Sequence, residues 1–542
     1  MKQTTGAVIE TIYPVSLSFL GRRELRRVEE TNSIVGNFEY FPELLAHHLE
    51  DLSLPDFLPD LSRLEWALHA VRSSQTKTFS VVGRLSLNPD LQLLRLSWRN
   101  LASLLNPGGD DSGLPPEPGE EYVLVWRHPK TSKITTAPAS NEDLLVLKMV
   151  AEDVPVPKAA ADFQLSLYVL GAAMDHAVEK GLLLAPPSGI RRDSSMFPID
   201  TTTKEDYLSA SVFTLQWHIT QACDLHCRHC YDRSDRQLLD LAQAIRVLDD
   251  LHAFCRDRQV RGQVSFSGGN PLLYLHFRDV YRAASERGYG LAILGNPVSR
   301  ERIEKLTAIE QPVYYQISLE GLPEHNDFMR GPGHFQRALE FLGVLRDLGV
   351  YSVVMLTLTR ENIAQVLPLA EMLRDRADLF TFNRLSQVGE GAKLKLPSMD
   401  EYVAFLESYV EAARDNPIIG LKDNLINVLH HQRGVPLFGG CTGYGCGAAF
   451  NFLCLLSDGN VHACRKFPSP IGNVLESDLG SLYDSEAARA YRRGCRACRS
   501  CVIRPVCGGC LAVAHSLGLN IFAAHDPYCF INARPRPGAA VK

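Results

Sequence analysis

The chain has 542 residues, 45% of them hydrophobic, enough for about three or four globular domains with ample core. Its formal net charge of −6 argues against a nucleic-acid binder that relies on overall positive charge. No apolar run is long enough to span a bilayer and no signal-peptide pattern is found, so no membrane is expected and the cytoplasm is the expected compartment.

Residues 1–112 read as a helical or mixed module. Leu61, Leu64, Leu68 and Val71 recur at helical spacing, with Asp60 placed to cap. The Pro- and Gly-rich stretch 106–119 reads as a linker. Residues 113–190 then give two strands followed by three helices. Tyr122–Arg127 and Lys133–Thr136 form the expected hairpin, and Ser140 caps a helix whose Leu144, Leu147 and Ala151 share a face. Val154-Pro-Val-Pro157 breaks that helix, Lys158–Asp162 forms a short one, and Gln164–Lys180 a longer one ended by Gly181. This is a winged-helix pattern, and it resembles the precursor-recognition domain of ribosomal-peptide maturases. The alternative is a DNA-binding winged helix, but Leu165–Val178 contains no Lys or Arg to meet phosphates. Residues 186–200 read as a second linker.

From 205 to 430 strand and helix alternate. The expected strands are Phe213–Thr220, Gln263–Phe266, Leu291–Leu294, Val313–Ser318, Tyr351–Leu358 and Phe380–Arg384, with amphipathic segments between them. Six such units predict an α/β fold with a parallel, partly closed (β/α)6 barrel. Parallel α/β folds place ligands at the carboxyl ends of their strands, where the following motifs fall.

The first is Cys223-x3-Cys227-x2-Cys230, directly after the first strand. Three thiolates around a 4Fe–4S cube leave one iron open to a ligand. The spacing alone equally admits a zinc knuckle. Downstream come Gly268-Gly269-Asn270-Pro271, then Tyr315-Gln-Ile-Ser-Leu-Glu-Gly321, then His325-Asn-Asp-Phe-Met-Arg-Gly331. Together these resemble the radical S-adenosylmethionine (SAM) superfamily, over roughly residues 208–535. Asn270 stands where that family usually has Glu. The resemblance implies a cluster on Cys223, Cys227 and Cys230 that binds S-adenosylmethionine and cleaves it to a 5′-deoxyadenosyl radical. It also implies cofactor contacts from Gly268, Gly269, Asn270, Pro271 and Ser318, with Asn296 and Arg330 as further candidates. His226 and His229, inside the cysteine loop, are expected to pack or hydrogen-bond.

Residues 431–535 hold most of the remaining cysteines, a clustering that favours metal over disulfides in a chain without a signal peptide. Their pattern resembles the SPASM domain, a C-terminal extension carrying two auxiliary 4Fe–4S clusters. The resemblance implies one cluster on Cys441, Cys446, Cys464 and Cys510, and another on Cys498, Cys501, Cys507 and Cys529. Two residues rather than the family's usual three separate Cys507 from Cys510, and Cys495 is an extra thiol before the motif. Cys255 and Cys454 lie in apolar patterns and are expected in the core.

Domain order implies an oxidoreductase that modifies a ribosomally made precursor peptide, with flavodoxin or ferredoxin as electron donor and no nucleic acid. The segment Phe382-Asn-Arg-Leu-Ser-Gln-Val-Gly-Glu-Gly-Ala392 is similar to maturases proposed to form thiazole- or selenazole-like rings from cysteine or selenocysteine. Alternatives are thioether or carbon–carbon cross-linking, activation of a sulfatase-type enzyme, and a non-enzymatic iron–sulfur regulator.

Overall fold

The computed structural model describes residues 8–20, 38–74, 82–105, 114–199 and 204–532. Residues 106–113 of the first linker and residue 200 of the second lie outside the described residues. The chain forms two compact units, residues 1–165 with 169–187, and residues 166–168 with 188–542.

In the first unit, the helix Leu58–Ser73 buries Leu61, Leu64 and Val71, while Leu68 is only partly covered. Asp60 does not cap this helix. It lies in the first turn, where its carboxylate accepts from Ser97 N at 2.5 Å and Arg63 at 3.1 Å, tying the helix to a strand. That strand was not expected from the sequence. A short β1 (Ser86–Leu87) precedes β2 (Leu91–Arg99), β3 (Glu117–Arg127) and β4 (Ile134–Pro138), and the last three form an antiparallel sheet in the order β2-β3-β4. Val123 and Val125 of β3 pack with Leu61 and Leu64, whereas Leu124 and Trp126 pack with Val146 and Leu147. The period of two buries both faces of β3, so residues on either side of position 112 share one sheet. Ser140 caps Asn141–Ala151 in a capping box with Asp143. The helix Val156–Phe163 ends at Gln164, whose φ of 54° is left-handed, and the next helix therefore starts only at Leu167, running to Glu179. A β5 (Leu183–Leu184) pairs with β1.

The second unit is built on a nine-stranded sheet. Its strands are β6 (Val212–Thr220), β7 (Arg261–Gly268), β8 (Gly290–Leu294), β9 (Tyr314–Ser318), β10 (Ser352–Leu358), β11 (Leu379–Arg384), β12 (Phe452–Leu455), β13 (Asn460–His462) and β14 (Pro470–Asn473). The order is β11-β10-β9-β8-β7-β6-β12-β13-β14. Strands β6 to β11 are all parallel, as the six βα repeats predict, with helices such as Leu241–Asp257 and His334–Asp347 between them. β12 continues the sheet by pairing parallel to β6, which brings the cysteine-rich region against the first barrel strand. Phe213, Leu215, Trp217 and Ile219 alternate inward along β6, and Cys255 and Cys454 are buried free thiols. Among the described residues no helix is long and apolar enough to cross a membrane.

Candidate active site

A cavity of about 420 Å³ opens at the carboxyl ends of the parallel strands. Cys223, Cys227 and Cys230 line it together with Gly268, Gly269, Asn296, Ser318 and Arg330. The cysteine loop leaves the end of β6 and is pinned from several sides. Arg228 N donates to Met329 O at 2.9 Å, and Glu390 N donates to Cys230 O at 2.8 Å. The sulfurs already have N–H groups close by: Asn296 Nδ2 lies 3.6 Å from Cys223 Sγ, and Arg330 Nη1 lies 3.7 Å from Cys227 Sγ. Burial pushes the Cys227 thiol up while Arg330 pulls it down, with burial winning.

The two glycines after β7 are required by a backbone neighbour. Gly268 has φ +121°, and a Cβ there would sit 2.1 Å from Thr220 O; one on Gly269 would sit 2.2 Å from Ala222 O. Gly269 N and Asn270 N donate to those same oxygens at 2.9 and 2.8 Å. The turn is therefore laced to the root of the cysteine loop. Asn270 caps the short 3-10 turn Pro271–Leu273, and Asn270 and Pro271 are both buried outside the lining of the cavity. The side chains of Asn270 and Asn296 converge on Asp224 Oδ1 at 3.1 and 2.7 Å. Asp224 is a site residue that sequence reasoning missed. Its signal was an acid next to the first cysteine, opposite a turn that had lost its own.

Ser318 lines the cavity at the end of β9. Arg330 is spent on an internal partner: its Nε and Nη2 both reach Glu320 Oε1, at 2.9 and 2.6 Å. His229 Nε2 lies 3.3 Å from the same oxygen, and Thr357 N donates to Glu320 Oε2 at 2.8 Å. Burial pushes the Glu320 carboxyl up, but His229, Arg330 and the Thr357 N–H outweigh it and hold it well below the usual carboxylate range. His229 thus has the hydrogen-bonding role expected, and His226, though exposed, lies with Nδ1 3.1 Å from Leu225 O. On the far wall, Asn383 to Ser386 and the pair Arg465–Lys466 complete the cavity.

The later cysteines gather in two places. Cys441, Cys446, Cys464 and Cys510 line one cavity, and Cys498, Cys501, Cys507 and Cys529 line another. Cys495 does not line the latter; it is buried on the other side of Cys498. All fourteen cysteines are free, and burial pushes Cys446 up to about 12 and Cys464 to about 11. Among the described residues no three His, Cys, Asp or Glu converge tightly enough for a single metal ion. Four thiols arranged around a shared cavity are the donor set of a polynuclear iron–sulfur cluster, so the residues fit the group.

Residues 217–373 match the radical SAM superfamily, and residues 446–502 match an iron–sulfur cluster-binding domain, SPASM. The chain is 30% identical over 336 residues to mycofactocin maturase MftC of Mycolicibacterium smegmatis, covering 58% of this chain and 82% of that one. It is 24% identical over 349 residues to the AdoMet-dependent heme synthase of Methanosarcina barkeri, covering 60% and 97%. The crystal structure of Streptococcus suis SuiB bound to precursor peptide SuiA shares the fold, at a TM-score of 0.50, 16% identity and coverage of 75% of this chain and 96% of that one. The cysteine loop and the glycine turn both lie within residues 217–373, and the chain belongs to the radical SAM superfamily, in the branch that carries a SPASM domain.

Proposed function

We propose that this enzyme modifies a ribosomally made peptide by hydrogen abstraction and net oxidation, in a reducing cytoplasm that keeps its thiols available. The observation that carries this reading is the single cavity of about 420 Å³ in which the three-cysteine loop faces Asn383–Ser386 and Arg465–Lys466, the latter directly after Cys464. In this reading Cys223, Cys227 and Cys230 hold the cluster that binds S-adenosylmethionine, with Gly268, Gly269 and Ser318 shaping the cofactor's side. Bound there, cluster and cofactor would supply a 5′-deoxyadenosyl radical, with electrons from a flavodoxin- or ferredoxin-type donor. Asn270, Pro271, Asn296 and Arg330 hold the turn and the loop in place, because their polar atoms are engaged by Asp224, Glu320 and the turn itself. The two groups of four cysteines hold auxiliary clusters with no open iron, which suits electron storage rather than substrate binding.

Peptide as the substrate class draws support from the maturase relative and from the peptide-bound neighbour. Residues 8–187 lie outside both matched domains, as a recognition unit would. Its sheet would take the precursor as an added strand. β3 is paired on both sides, so within the β3–β4 hairpin the receiving edge is β4, whose Ala137 packs near Ala173 and Ala177 of the helix Leu167–Glu179. Ring formation at cysteine or selenocysteine is the finer reading, supported by the 382–392 segment, part of which lines the cavity. The test is tandem mass spectrometry of a neighbouring small peptide after co-expression. Loss of two hydrogens at a cysteine or selenocysteine is expected, and an unmodified peptide beside active cofactor cleavage would sink the proposal. A proline at an outward-facing N–H of β4 should leave uncoupled cleavage intact and greatly weaken modification, and unchanged precursor affinity in that variant would refute strand addition.

A further inference from the structure

Two arginines of the second unit are buried without an acidic partner. Arg192 is 6% exposed and Arg504 is 4% exposed, and neither has a carboxylate within ion-pairing distance among the described residues. Their N–H groups go to backbone carbonyls instead. Arg192 Nη2 donates to Tyr444 O at 2.9 Å and Cys446 O at 2.7 Å, and Arg504 Nη1 donates to Met196 O at 2.6 Å. Arg192 Nε is buried with no hydrogen-bond partner. Both guanidinium groups stack on the Phe197 ring, at 4.4 and 4.3 Å from its centroid, and Arg192 also stacks on Phe450 at 4.1 Å.

Two like charges meeting over one ring, away from water and facing neutral acceptors, are costly unless negative charge arrives. The groups facing them show where it can come from. Arg192 faces Cys446 and Tyr483, with Arg504 and Arg492 as like charges. Arg504 faces Cys495, Cys498 and Cys501, against Arg499. A cysteine that ligates iron does so as a thiolate, which brings negative charge to the site. Arg192, Arg504, Cys446 and Cys498 line one cavity, so the guanidinium pair lies between the first group of four cysteines and the second.

We propose that Arg192 and Arg504 form a cationic bridge between the two auxiliary cluster sites, pairing with their thiolate–iron charge and raising both reduction potentials together. The inference rests on the reading that those eight cysteines hold two clusters. A reduced cluster carries one more negative charge than an oxidised one, so a buried cation favours the reduced state and its removal lowers the potential. Arg192 lies on the Cys446 side of the bridge and Arg504 on the Cys498 side, so each substitution moves both auxiliary potentials in the same direction, and the nearer site's by more.

The experiment is a redox titration followed by electron paramagnetic resonance, with iron and sulfide counts, on reconstituted full-length wild type, R192Q, R192K, R504Q and R504K. In each Gln variant both auxiliary signals are expected to titrate at more negative potential, with the cluster on Cys223, Cys227 and Cys230 unmoved. The Lys variants are expected near wild type. Gln variants that keep their iron and show wild-type auxiliary potentials overturn the bridge. If the Gln variants lose auxiliary iron, retention of iron at wild-type potentials in both Lys variants supports the charge role, and its loss from all four overturns it in favour of packing. A wild type that binds only one cluster sinks the underlying cluster assignment, an outcome the iron count separates from failure of the bridge.

Discussion

The side-chain amide of Asn270 donates to Asp224 Oδ1 at 3.1 Å, joining the glycine turn after β7 to the cysteine loop after β6. The superfamily's usual acid at this position would face Asp224 as a like charge. Here the amide instead holds the acid on the loop, with help from Asn296 at 2.7 Å. N270E should therefore weaken S-adenosylmethionine binding, by roughly five- to tenfold for loss of a charge-assisted bond at a partly exposed site. The exchanged pair N270E/D224N puts the acid on the turn and the amide on the loop, and should recover most of the loss. Equilibrium dialysis of the cofactor on reconstituted enzyme checks both, and a double variant worse than either single one would refute the clamp.

Replacing Cys223, Cys227 and Cys230 together by Ala should abolish 5′-deoxyadenosine production. The other cysteine groups should keep their metal, so bound iron should fall by about one third on a three-cluster reading. Chromatographic product analysis with an iron assay decides it; persistent product would reassign the site.

Glu320 and Arg330 form a buried pair, 1% and 9% exposed at the side chain, beneath the cysteine loop. Removing one partner leaves the other buried and uncompensated. R330Q should destabilise the protein by about 3–5 kcal/mol, with E320Q/R330Q substantially less affected. Denaturant unfolding of both variants tests this, and equal loss in the two would show that the charge pairing is not what matters there.

His218 lies on β6, 1% exposed, hydrogen-bonded to Tyr231 OH at 2.8 Å through Nε2. Burial, helped by Arg465, lowers it from 6.5 to about 3. Between these values the unfolded chain binds the proton and the folded one does not. The stabilising contribution is therefore fully present above pH 6.5 and is lost progressively as pH falls towards 3. H218N should reduce the slope of unfolding free energy between pH 4 and 6 by up to about one proton per molecule. His334, lowered to about 4 mainly by burial, keeps part of the slope in place. An unchanged slope in H218N would show that the ring is already protonated in the fold.

Much of the second unit was legible because its elements are locally specified. All six parallel strands were expected, and the observed bounds differ by at most two residues at either end. Alternating apolar runs such as Phe213 to Ile219 fix a strand whatever its neighbours are. β2 carried a signal that was overlooked: Leu94-Arg-Leu-Ser-Trp-Arg99 alternates apolar and polar, and Leu94, Leu96 and Trp98 pack on one core. The start of the Leu167–Glu179 helix was misread because Gln164 adopts a left-handed conformation that its residue type does not demand.

The sequence by itself determined which chemistry this chain can hold: the cysteine spacings, the glycine turn and the strand–helix alternation are short-range features, carried by consecutive residues. It left undecided what neutralises what. That Asn270 meets Asp224, that Arg330 pairs with Glu320 while lining the cavity, and that β12 extends the barrel sheet beside β6 all depend on residues 10 to 240 positions apart. Charges and hydrogen-bond donors find partners through space, so only the tertiary structure decided which of the legible residues hold the loop in place and which line the open cavity.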